Sequence, residues 1–351
     1  MLRNMKKQED KMEKKIMGPL FVIGCPRSGT TMLNKILSSH SRIKNIIGES
    51  NFYDRIYLNR NLLRKFSPKK RERFLIDYLS DRKRRKKTWK CMNFESWLKN
   101  YKKLKGKNYA DLYLALMLTF AEDYYGDNTT NYYIGDKDPR PMPFGKFMLK
   151  IFPEAKIINI ERDGRAVVSS LMEFRGKDIV NHTLLWKYHI RTSLRFNRKM
   201  DKKSYLKISY ESFVKNPEEE LIKICDFLNL DYEKEMLKAN LKGLSSFTNK
   251  TEKVDISRID RYKKELNQKQ IKLIEYIAFN ELKQLGYVNK DKKKPVLPLK
   301  IRLMILLAYE RYLFLGFLDH LSIKFGHKIW KKTLLLVKSY YRRLFLDDII
   351  K

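Results

Sequence analysis

A short apolar run that leads into a glycine-containing loop constrains the fold of this chain more than any other feature. The run is Pro-Leu-Phe-Val-Ile-Gly-Cys at residues 19–25, and it overlaps the loop Gly-Cys-Pro-Arg-Ser-Gly-Thr-Thr at residues 24–31. The run predicts a buried β-strand, and residues 30–39 have the apolar spacing of a helix. A strand, a glycine loop and a helix in this order are typical of an anion-binding turn, because the N–H groups of a helix N-terminus bind phosphate.

Further strands and helices alternate along the chain. Buried strands are predicted at residues 155–162 and 204–210, each followed by a helical pattern, at residues 166–174 and 216–230. Strands that alternate with helices indicate a parallel sheet with helices on its faces. We therefore predict an α/β fold, a P-loop-containing parallel β-sheet flanked by helices, with an added helical C-terminal tail.

Composition divides the chain into three predicted regions. They are a basic leader (residues 1–17), a folded domain (18–290) and a basic helical extension (291–351) with 14 basic and 5 acidic residues. We find no apolar stretch long enough for a signal peptide and no run of about 18 uncharged apolar residues. The extension has an amphipathic helical pattern, which is compatible with packing on the domain or with contact between residues 300–345 and a membrane surface.

The charge of the chain points to anionic partners. Lys and Arg number 76 against 40 Asp and Glu, a formal net charge of +36, and 43% of the residues are hydrophobic. That apolar content excludes a disordered polyelectrolyte, while nucleic acids, nucleotides, acidic glycans and membrane surfaces all remain as partners. Residues 60–107 are strongly basic, with 19 basic and 4 acidic residues.

Cysteine usage and motif content bear on the compartment and on metals. Cys25, Cys91 and Cys225 lie far apart and form no CxxC pair. Their number and spacing predict neither a disulfide framework nor a zinc site, and they favour a reducing, cytoplasmic location. Because no HExxH motif or spaced carboxylate cluster is present, we predict no metal site.

The glycine loop differs from an ATP-binding Walker loop at one position. Gly24 and Gly29 have the Walker spacing, but Thr30 stands where the Walker lysine would reach the β- and γ-phosphates. This difference disfavours a P-loop kinase or NTPase, which remains an alternative. Arg27 provides a guanidinium group within the loop instead.

Residues 22–31, Val-Ile-Gly-Cys-Pro-Arg-Ser-Gly-Thr-Thr, resemble the 5′-phosphosulfate loop of sulfotransferases that use 3′-phosphoadenosine 5′-phosphosulfate (PAPS). Other segments of that family follow in order, and Gly-Asp-Lys-Asp-Pro-Arg at residues 135–140 is most similar to the tyrosylprotein, Golgi-type and bacterial members. The resemblance implies that PAPS is the co-substrate. It also implies that the 5′-phosphate and sulfonate of PAPS are held by Arg27, Ser28, Gly29, Thr30 and Thr31.

The resemblance extends to the 3′-phosphate end of the donor. In the family a strand-end arginine is followed eight residues later by a helical serine, and the matching pair here is Arg162 and Ser170. A guanidinium and a hydroxyl can bind one phosphate together. Tyr210 matches a nucleotide-contacting tyrosine of the family, and Ser246 and Arg261 match a loop that closes over the nucleotide.

Sulfuryl transfer needs a base for the acceptor hydroxyl, and Glu49 is the predicted base. The pattern Glu-x-x-Phe-Tyr-Asp that begins at Glu49 resembles a pattern of glycosaminoglycan sulfotransferases in which that Glu is the base. Tyrosylprotein sulfotransferases use the second Glu of Gly-Glu-Glu, and Ser50 occupies that position here, so the chain departs from their pattern. Asp54, His182 and His189 are reserve candidates.

Lys137 is the second predicted catalytic group, and Arg27 is the third. The resemblance places Lys137 beside the donor sulfonate, where an ammonium would stabilise the departing phosphate oxygen. Pairing of Lys137 with Asp136 or Asp138 is the structural alternative. These positive charges make a metal ion unnecessary.

The combined motifs predict a PAPS-dependent sulfotransferase that acts on a hydroxyl or amine acceptor by in-line transfer. The basic segment at residues 60–107 favours a carbohydrate, acidic glycan or glycolipid as acceptor. A P-loop kinase or NTPase and a non-catalytic nucleic-acid-binding basic protein are the alternatives, although the basic runs lack RNP-type aromatic residues and zinc-finger patterns.

Overall fold

The computed structural model describes residues 16–52, 55–56, 59–85, 87–104, 108–126, 131–138, 149, 151–239, 241, 255–307 and 310. Within these ranges a five-stranded sheet has the strand order β2-β3-β1-β4-β5, and each neighbouring pair is parallel. The strands are β1 Ile16–Gly24, β2 Ile43–Asn45, β3 Tyr132–Asp138, β4 Lys156–Glu161 and β5 Tyr205–Ser209. The predicted parallel sheet flanked by helices is therefore confirmed.

Helices follow most strands, as the alternation in the sequence predicts. The α-helices are α1 Thr30–Leu37, α2 Arg60–Arg64, α3 Pro68–Arg85, α4 Phe94–Lys103, α5 Tyr109–Tyr125, α6 Gly164–Arg175, α7 Ile179–Asn197, α8 Tyr210–Lys215, α9 Pro217–Leu228, α10 Tyr262–Glu265 and α11 Gln268–Gln284. Short 3₁₀ helices occur at Lys87–Trp89, Lys234–Lys238 and Ile256–Arg258. Residues 299–307 are also helical.

The strands β2 and β3 are additions to the strands that the sequence predicts. β2 has only three residues, and β3 has the sequence Tyr-Tyr-Ile-Gly-Asp-Lys-Asp, in which the apolar run ends after Ile134. β3 nevertheless lies beside β1, with Gly135 opposite Leu20. A Cβ atom on Gly135 would lie 1.7 Å from the backbone oxygen of Leu20, so the two strands can pair at this point only around a glycine.

The chain groups into two compact units. One, the sheet unit, is formed from residues of Met1–Arg162 and Thr192–Ser257, and the other, the helical unit, from residues of Asp163–Arg191 and Arg258–Lys351. The sheet unit has a core rich in buried aromatic side chains, which include Phe21, Phe52, Trp89, Trp97, Tyr113 and Phe120. Burial of such large apolar surfaces is the main source of stability for this unit.

The helical unit has its own small core and a buried ionic network. Its apolar residues come mainly from α6, α7, α10 and α11. Arg165 is at the centre of the network, with a guanidinium nitrogen 2.6 Å from Asp163 and another 3.0 Å from Glu275, whose other oxygen lies 2.7 Å from Lys292 Nζ. Because each buried charge has a partner of opposite sign, the network avoids the large cost of an uncompensated buried ion.

The predicted regional boundaries, 1–17, 18–290 and 291–351, stay predictions. Most of the leader and of the extension lie outside the described residues. Among the helices that the structure describes, none is both long and apolar enough to cross a membrane.

We expect Gly135→Ala to destabilise the protein at the upper end of the roughly 1–3 kcal/mol range for overpacking, because the new methyl group would collide with Leu20 in the middle of the sheet. Urea unfolding would measure this loss. Gly286→Ala is the control, since Gly286 has φ 79° and open space around it; it should cost only the left-handed backbone penalty of about 1 kcal/mol. Equal losses in the two variants would contradict the predicted contact.

Candidate active site

The phosphate loop lies between β1 and α1, as the sequence predicts. Its last residue before the helix, Gly29, is the N-cap of α1 and has φ 95°. A Cβ atom at this position would lie 2.7 Å from Cδ2 of Tyr210, so both the backbone conformation and the tyrosine ring require a glycine. Arg27 also has a positive φ, 73°, which lets the loop turn tightly before the helix.

The loop has hydrogen-bond donors of the kind that bind an oxyanion. Ser28 is fully buried, and its Oγ has no hydrogen-bond partner among the described residues. The N-terminus of α1 has no side-chain cap in the same set of residues. A buried unpaired hydroxyl is costly unless a ligand satisfies it, and uncapped helix N–H groups attract phosphate. Ser28 and the adjoining Thr30 and Thr31 therefore fit the phosphate end of a nucleotide donor.

Arg162 joins the phosphate loop to Tyr210. It follows β4, is only 9% exposed, and donates from Nη1 to the backbone oxygen of Arg27 over 3.0 Å. Its guanidinium carbon lies 4.1 Å from the centroid of the Tyr210 ring, which is a cation–π geometry. The structure thus brings together three predicted donor contacts, Arg27, Arg162 and Tyr210.

The predicted acid–base pair lies at the carboxyl end of β3. Lys137 Nζ is 2.7 Å from Glu49 Oε1. The side chain of Lys137 is 3% exposed and that of Glu49 is 38% exposed. A buried ammonium needs a negative partner, and the Glu49 carboxylate is that partner. Because Glu49 is the more exposed of the two side chains, its carboxylate remains accessible from solvent.

Ser50 has a different environment from its neighbour Glu49. Its Oγ donates to Oδ2 of Asp136, and its backbone N–H donates to Oδ1 of the same carboxylate over 3.3 Å. Ser50 and Asp136 are each 1% exposed. The position that aligns with the base of tyrosylprotein sulfotransferases is therefore occupied here by a buried structural serine.

Strand register explains why these groups lie at one edge of the sheet. Lys137 lies opposite Val22 across the β1–β3 pair, and Ile160 lies opposite Gly24 across the β1–β4 pair. The phosphate loop begins at Gly24, and Arg162 comes two residues after Ile160. In parallel strands the carboxyl ends share one edge, which is where α/β proteins bind ligands.

Of the remaining predicted donor contacts, two belong to the helical unit. Ser170 is half-buried on α6 of the helical unit, and Arg261 in the same unit pairs with Glu265 and, over 3.4 Å, with Glu173. Ser246 lies outside the described residues. The proposed roles of these three residues in donor binding stay predictions.

The reserve bases are also placed by the structure, except for Asp54, which lies outside the described residues. His182 and His189 are buried in the helical unit. Burial lowers the pKa of His189 to about 3, and burial also lowers the pKa of His182, whose ring bonds to the backbone oxygen of Gly176 over 2.9 Å. As for metals, the described part of the chain contains no cluster of three or more His, Cys, Asp or Glu that could hold an ion.

Two tyrosines near Glu49 had no sequence signal of function. Tyr113 Oη donates to Oδ2 of Asp136 over 2.7 Å, and Tyr78 Oη donates to the backbone oxygen of Ser50 over 2.9 Å. Both tyrosines lie in helical patterns with apolar neighbours, where a tyrosine is indistinguishable from any core aromatic residue. Only Asp136 had a visible signal, because it directly precedes Lys137.

Comparison with solved structures supports the fold. The sulfotransferase domain from the olefin synthase of Synechococcus PCC 7002 aligns with a TM-score of 0.54 and 20% sequence identity, over 79% of this chain and 97% of that domain. At this level of identity the likeness establishes a common fold only.

Comparison with sequences identifies the family. This chain is 29% identical to the protein-tyrosine sulfotransferase of Drosophila melanogaster over 36% of its length, and 24% identical to protein-tyrosine sulfotransferase A of Caenorhabditis elegans over 62% of its length. It spans only 26% and 51% of those two relatives. The sequence pattern of the sulfotransferase family, however, matches residues 19–234, which is more than half of the chain. The chain therefore belongs to the sulfotransferase family.

Proposed function

We propose that this chain is a PAPS-dependent sulfotransferase that transfers a sulfuryl group to a hydroxyl group of its acceptor. The Lys137–Glu49 pair at the carboxyl end of β3, on the strand next to the phosphate loop, is the observation that carries the proposal. The pair combines an accessible carboxylate with a buried positive charge. It lies at the edge of the sheet where the loop presents hydrogen-bond donors that could bind a phosphate. Membership of the sulfotransferase family argues against the kinase and nucleic-acid-binding alternatives.

The donor site is assigned to the phosphate loop and to the ends of β4 and β5. Ser28, Thr30, Thr31 and the N–H groups that begin α1 would hold the 5′-phosphate, with the Arg27 guanidinium as a further charge. Arg162, stacked on Tyr210, would bind phosphate at the other end of the nucleotide. Bound PAPS supplies the activated sulfuryl group, and PAP is the product that leaves.

Glu49 is the proposed general base. Its carboxylate is positioned to accept the proton that an acceptor hydroxyl loses as its oxygen forms the new bond to sulfur. The Lys137 ammonium pairs with the Glu49 carboxylate and would place positive charge where a phosphate oxygen leaves. Ser50, buried against Asp136, cannot take this role.

We propose a carbohydrate or glycolipid acceptor. The basic segment at residues 60–107 supports this class, because clustered positive charge attracts acidic glycans. The Glu-x-x-Phe-Tyr-Asp pattern around Glu49 supports it as well. A tyrosine hydroxyl is the second candidate, and it is supported by the names of the two relatives, both protein-tyrosine sulfotransferases.

We also propose peripheral contact of the extension with an anionic membrane surface. In the described part of the extension, Leu299, Leu303, Leu306 and Leu307 are 52–66% exposed and follow helical spacing. Exposed lysine and arginine residues, including Lys300 and Arg302, accompany them. A helix with exposed leucines beside basic residues suits the interface of an acidic bilayer. A cytoplasmic location stays a prediction that rests on cysteine usage.

Glu49→Gln should lower sulfuryl transfer by about 10²–10⁴-fold, the usual contribution of a general base, because the amide keeps its contact with Lys137 but does not accept a proton. Transfer from labelled PAPS to a panel of sugars, glycolipids and tyrosine peptides would measure the loss and identify the acceptor class. PAP should still raise the melting temperature of the variant as it does for the wild type. Loss of PAP binding would show that Glu49 is structural, and unchanged transfer would show that another residue is the base.

PAP should raise the melting temperature of the protein far more than ATP with magnesium does, since the loop lacks the Walker lysine.

Arg162→Ala should weaken PAP binding by about 1.5–3 kcal/mol, the range for hydrogen bonds to charged groups. Arg195→Ala is the matched control, because it removes the same charge from an exposed position on α7. If the control loses as much affinity as Arg162→Ala, the effect is one of overall charge and the assignment of Arg162 is wrong.

Replacing Leu303 and Leu306 together with serine should abolish flotation of the full chain with phosphatidylserine vesicles, because about half of each side chain is available to the bilayer. Vesicles of phosphatidylcholine alone should bind the wild type weakly, since they lack the negative surface charge. Ile222→Ser is the control, as it removes one exposed apolar side chain from α9. Equal flotation of all variants would refute the membrane proposal.

A further inference from the structure

Two successive residues of β3 hold two successive residues of the loop that carries the proposed base. Asp136 binds Ser50, and Lys137 binds Glu49. Side chains alternate between the two faces of a strand, so the two contacts lie on opposite sides of the sheet edge. One contact is buried and the other is partly open to solvent.

The Asp136 carboxylate accepts hydrogen bonds from the side chain and backbone of Ser50 and from Tyr113. Oδ2 accepts hydrogen bonds from Ser50 Oγ and, over 2.7 Å, from Tyr113 Oη, while Oδ1 accepts from the Ser50 N–H over 3.3 Å. A carboxylate with 1% exposure is tolerated only when such bonds replace water. Its geometry is therefore fixed by all three donors together.

The N–H, the hydroxyl and the carbonyl oxygen of Ser50 all form hydrogen bonds. Besides its two bonds to Asp136, its Oγ accepts from the Phe52 N–H over 3.1 Å and its carbonyl oxygen accepts from Tyr78 Oη over 2.9 Å. The Phe52 ring stacks on Tyr113 with centroids 4.5 Å apart and an interplanar angle of 6°. The backbone on one side of Glu49 is thus tied to β3, α3 and α5.

A one-residue shift of this loop along β3 would be strongly unfavourable. A shift in one direction would place Glu49 against Asp136, two carboxylates in a site with almost no solvent, and a shift in the other direction would place Ser50 against Lys137 and take Glu49 away from it. Like charges at close range in a low-dielectric site repel strongly. The Asp136–Ser50 contact therefore selects the single register in which Glu49 meets Lys137.

We propose that Asp136 and Ser50 are positioning residues that hold Glu49 against Lys137. Tyr113 contributes to this role through its hydrogen bond to Asp136. This inference rests on the proposed function of Glu49. Neither Asp136 nor Ser50 needs to touch donor or acceptor, since both act through the backbone that joins Ser50 to Glu49.

The test uses Ser50→Ala, which removes the hydroxyl, and Tyr113→Phe, which removes one donor to Asp136 but keeps the stacked ring. Hydrolysis of PAPS to PAP and sulfate is the reaction measured, with water as the acceptor, so that no acceptor needs to be known. In this reaction the water oxygen bonds to sulfur, the bond from sulfur to the phosphate oxygen breaks, and Glu49 receives the proton. We expect kcat to fall about 10- to 100-fold for Ser50→Ala, as for other misplaced catalytic groups, and less for Tyr113→Phe. The KM for PAPS should change less than twofold.

Ser41→Ala is the matched control. Ser41 also binds one carboxylate through both its hydroxyl and its N–H, in this case that of Glu233, with the N–H contact at 2.8 Å. It is an exposed residue after α1 and has no assigned role. Its variant should keep the kcat of the wild type. A control that loses as much activity as Ser50→Ala would overturn the inference, because any serine–carboxylate clamp would then have the same effect.

A second measurement does not depend on activity. A double-mutant cycle with Glu49→Ala and Lys137→Met, followed by urea unfolding, gives the coupling between the two side chains. The coupling should fall by at least half when the same cycle is repeated in the Ser50→Ala protein. An unchanged coupling would overturn the positioning role, whatever the activity. A wild-type protein that neither binds PAP nor hydrolyses PAPS would instead contradict the proposed function, and the cycle would still decide whether Ser50 holds the pair together.

Discussion

Close parallel pairing of β1 with β3 and with β4 is the constraint on which the rest of the site depends. Parallel strands end at the same edge, so the phosphate loop after β1, Lys137 near the end of β3 and Arg162 after β4 meet there. The pairing itself depends on Gly135, where any side chain would collide with Leu20. A small residue with no chemistry of its own thereby decides where the charged groups lie.

The site combines two kinds of electrostatic environment. Around the phosphate loop, Ser28 and the uncapped start of α1 present neutral hydrogen-bond donors, and Arg162 adds a charge that is partly covered by Tyr210. At the end of β3, the positive charge of Lys137 is buried and its carboxylate partner is not. This asymmetry suits a reaction in which the base must meet a substrate while the cation remains fixed. The large formal charge of +36 contributes little here, because most of the surplus belongs to residues 60–107 and 291–351.

Aromatic packing connects this chemistry to the stability of the sheet unit. Phe52, Tyr78 and Tyr113 belong to the buried core, and the two tyrosine hydroxyls also bind the loop that carries Glu49. Buried tyrosines need partners for their hydroxyl groups, and here the partners are the Ser50 carbonyl and Asp136. The core and the loop that carries Glu49 therefore share the same side chains.

The sequence alone predicted the parallel α/β fold and the phosphate loop, because both depend on local order along the chain. Its resemblance to sulfotransferases pointed to Glu49, Lys137 and Arg162 as candidate site residues. A buried strand, a glycine turn and a helix start are readable from neighbouring residues. The sequence did not reveal β3 as a strand, since its apolar run stops at Ile134 and its pairing partner is more than a hundred residues away. It also favoured Glu49 over its neighbour Ser50 as the base, but it gave no information on the surroundings of either side chain. Only the tertiary structure showed their different environments, because the alternation of side chains along β3 places Glu49 beside a buried ammonium and Ser50 beside a buried carboxylate.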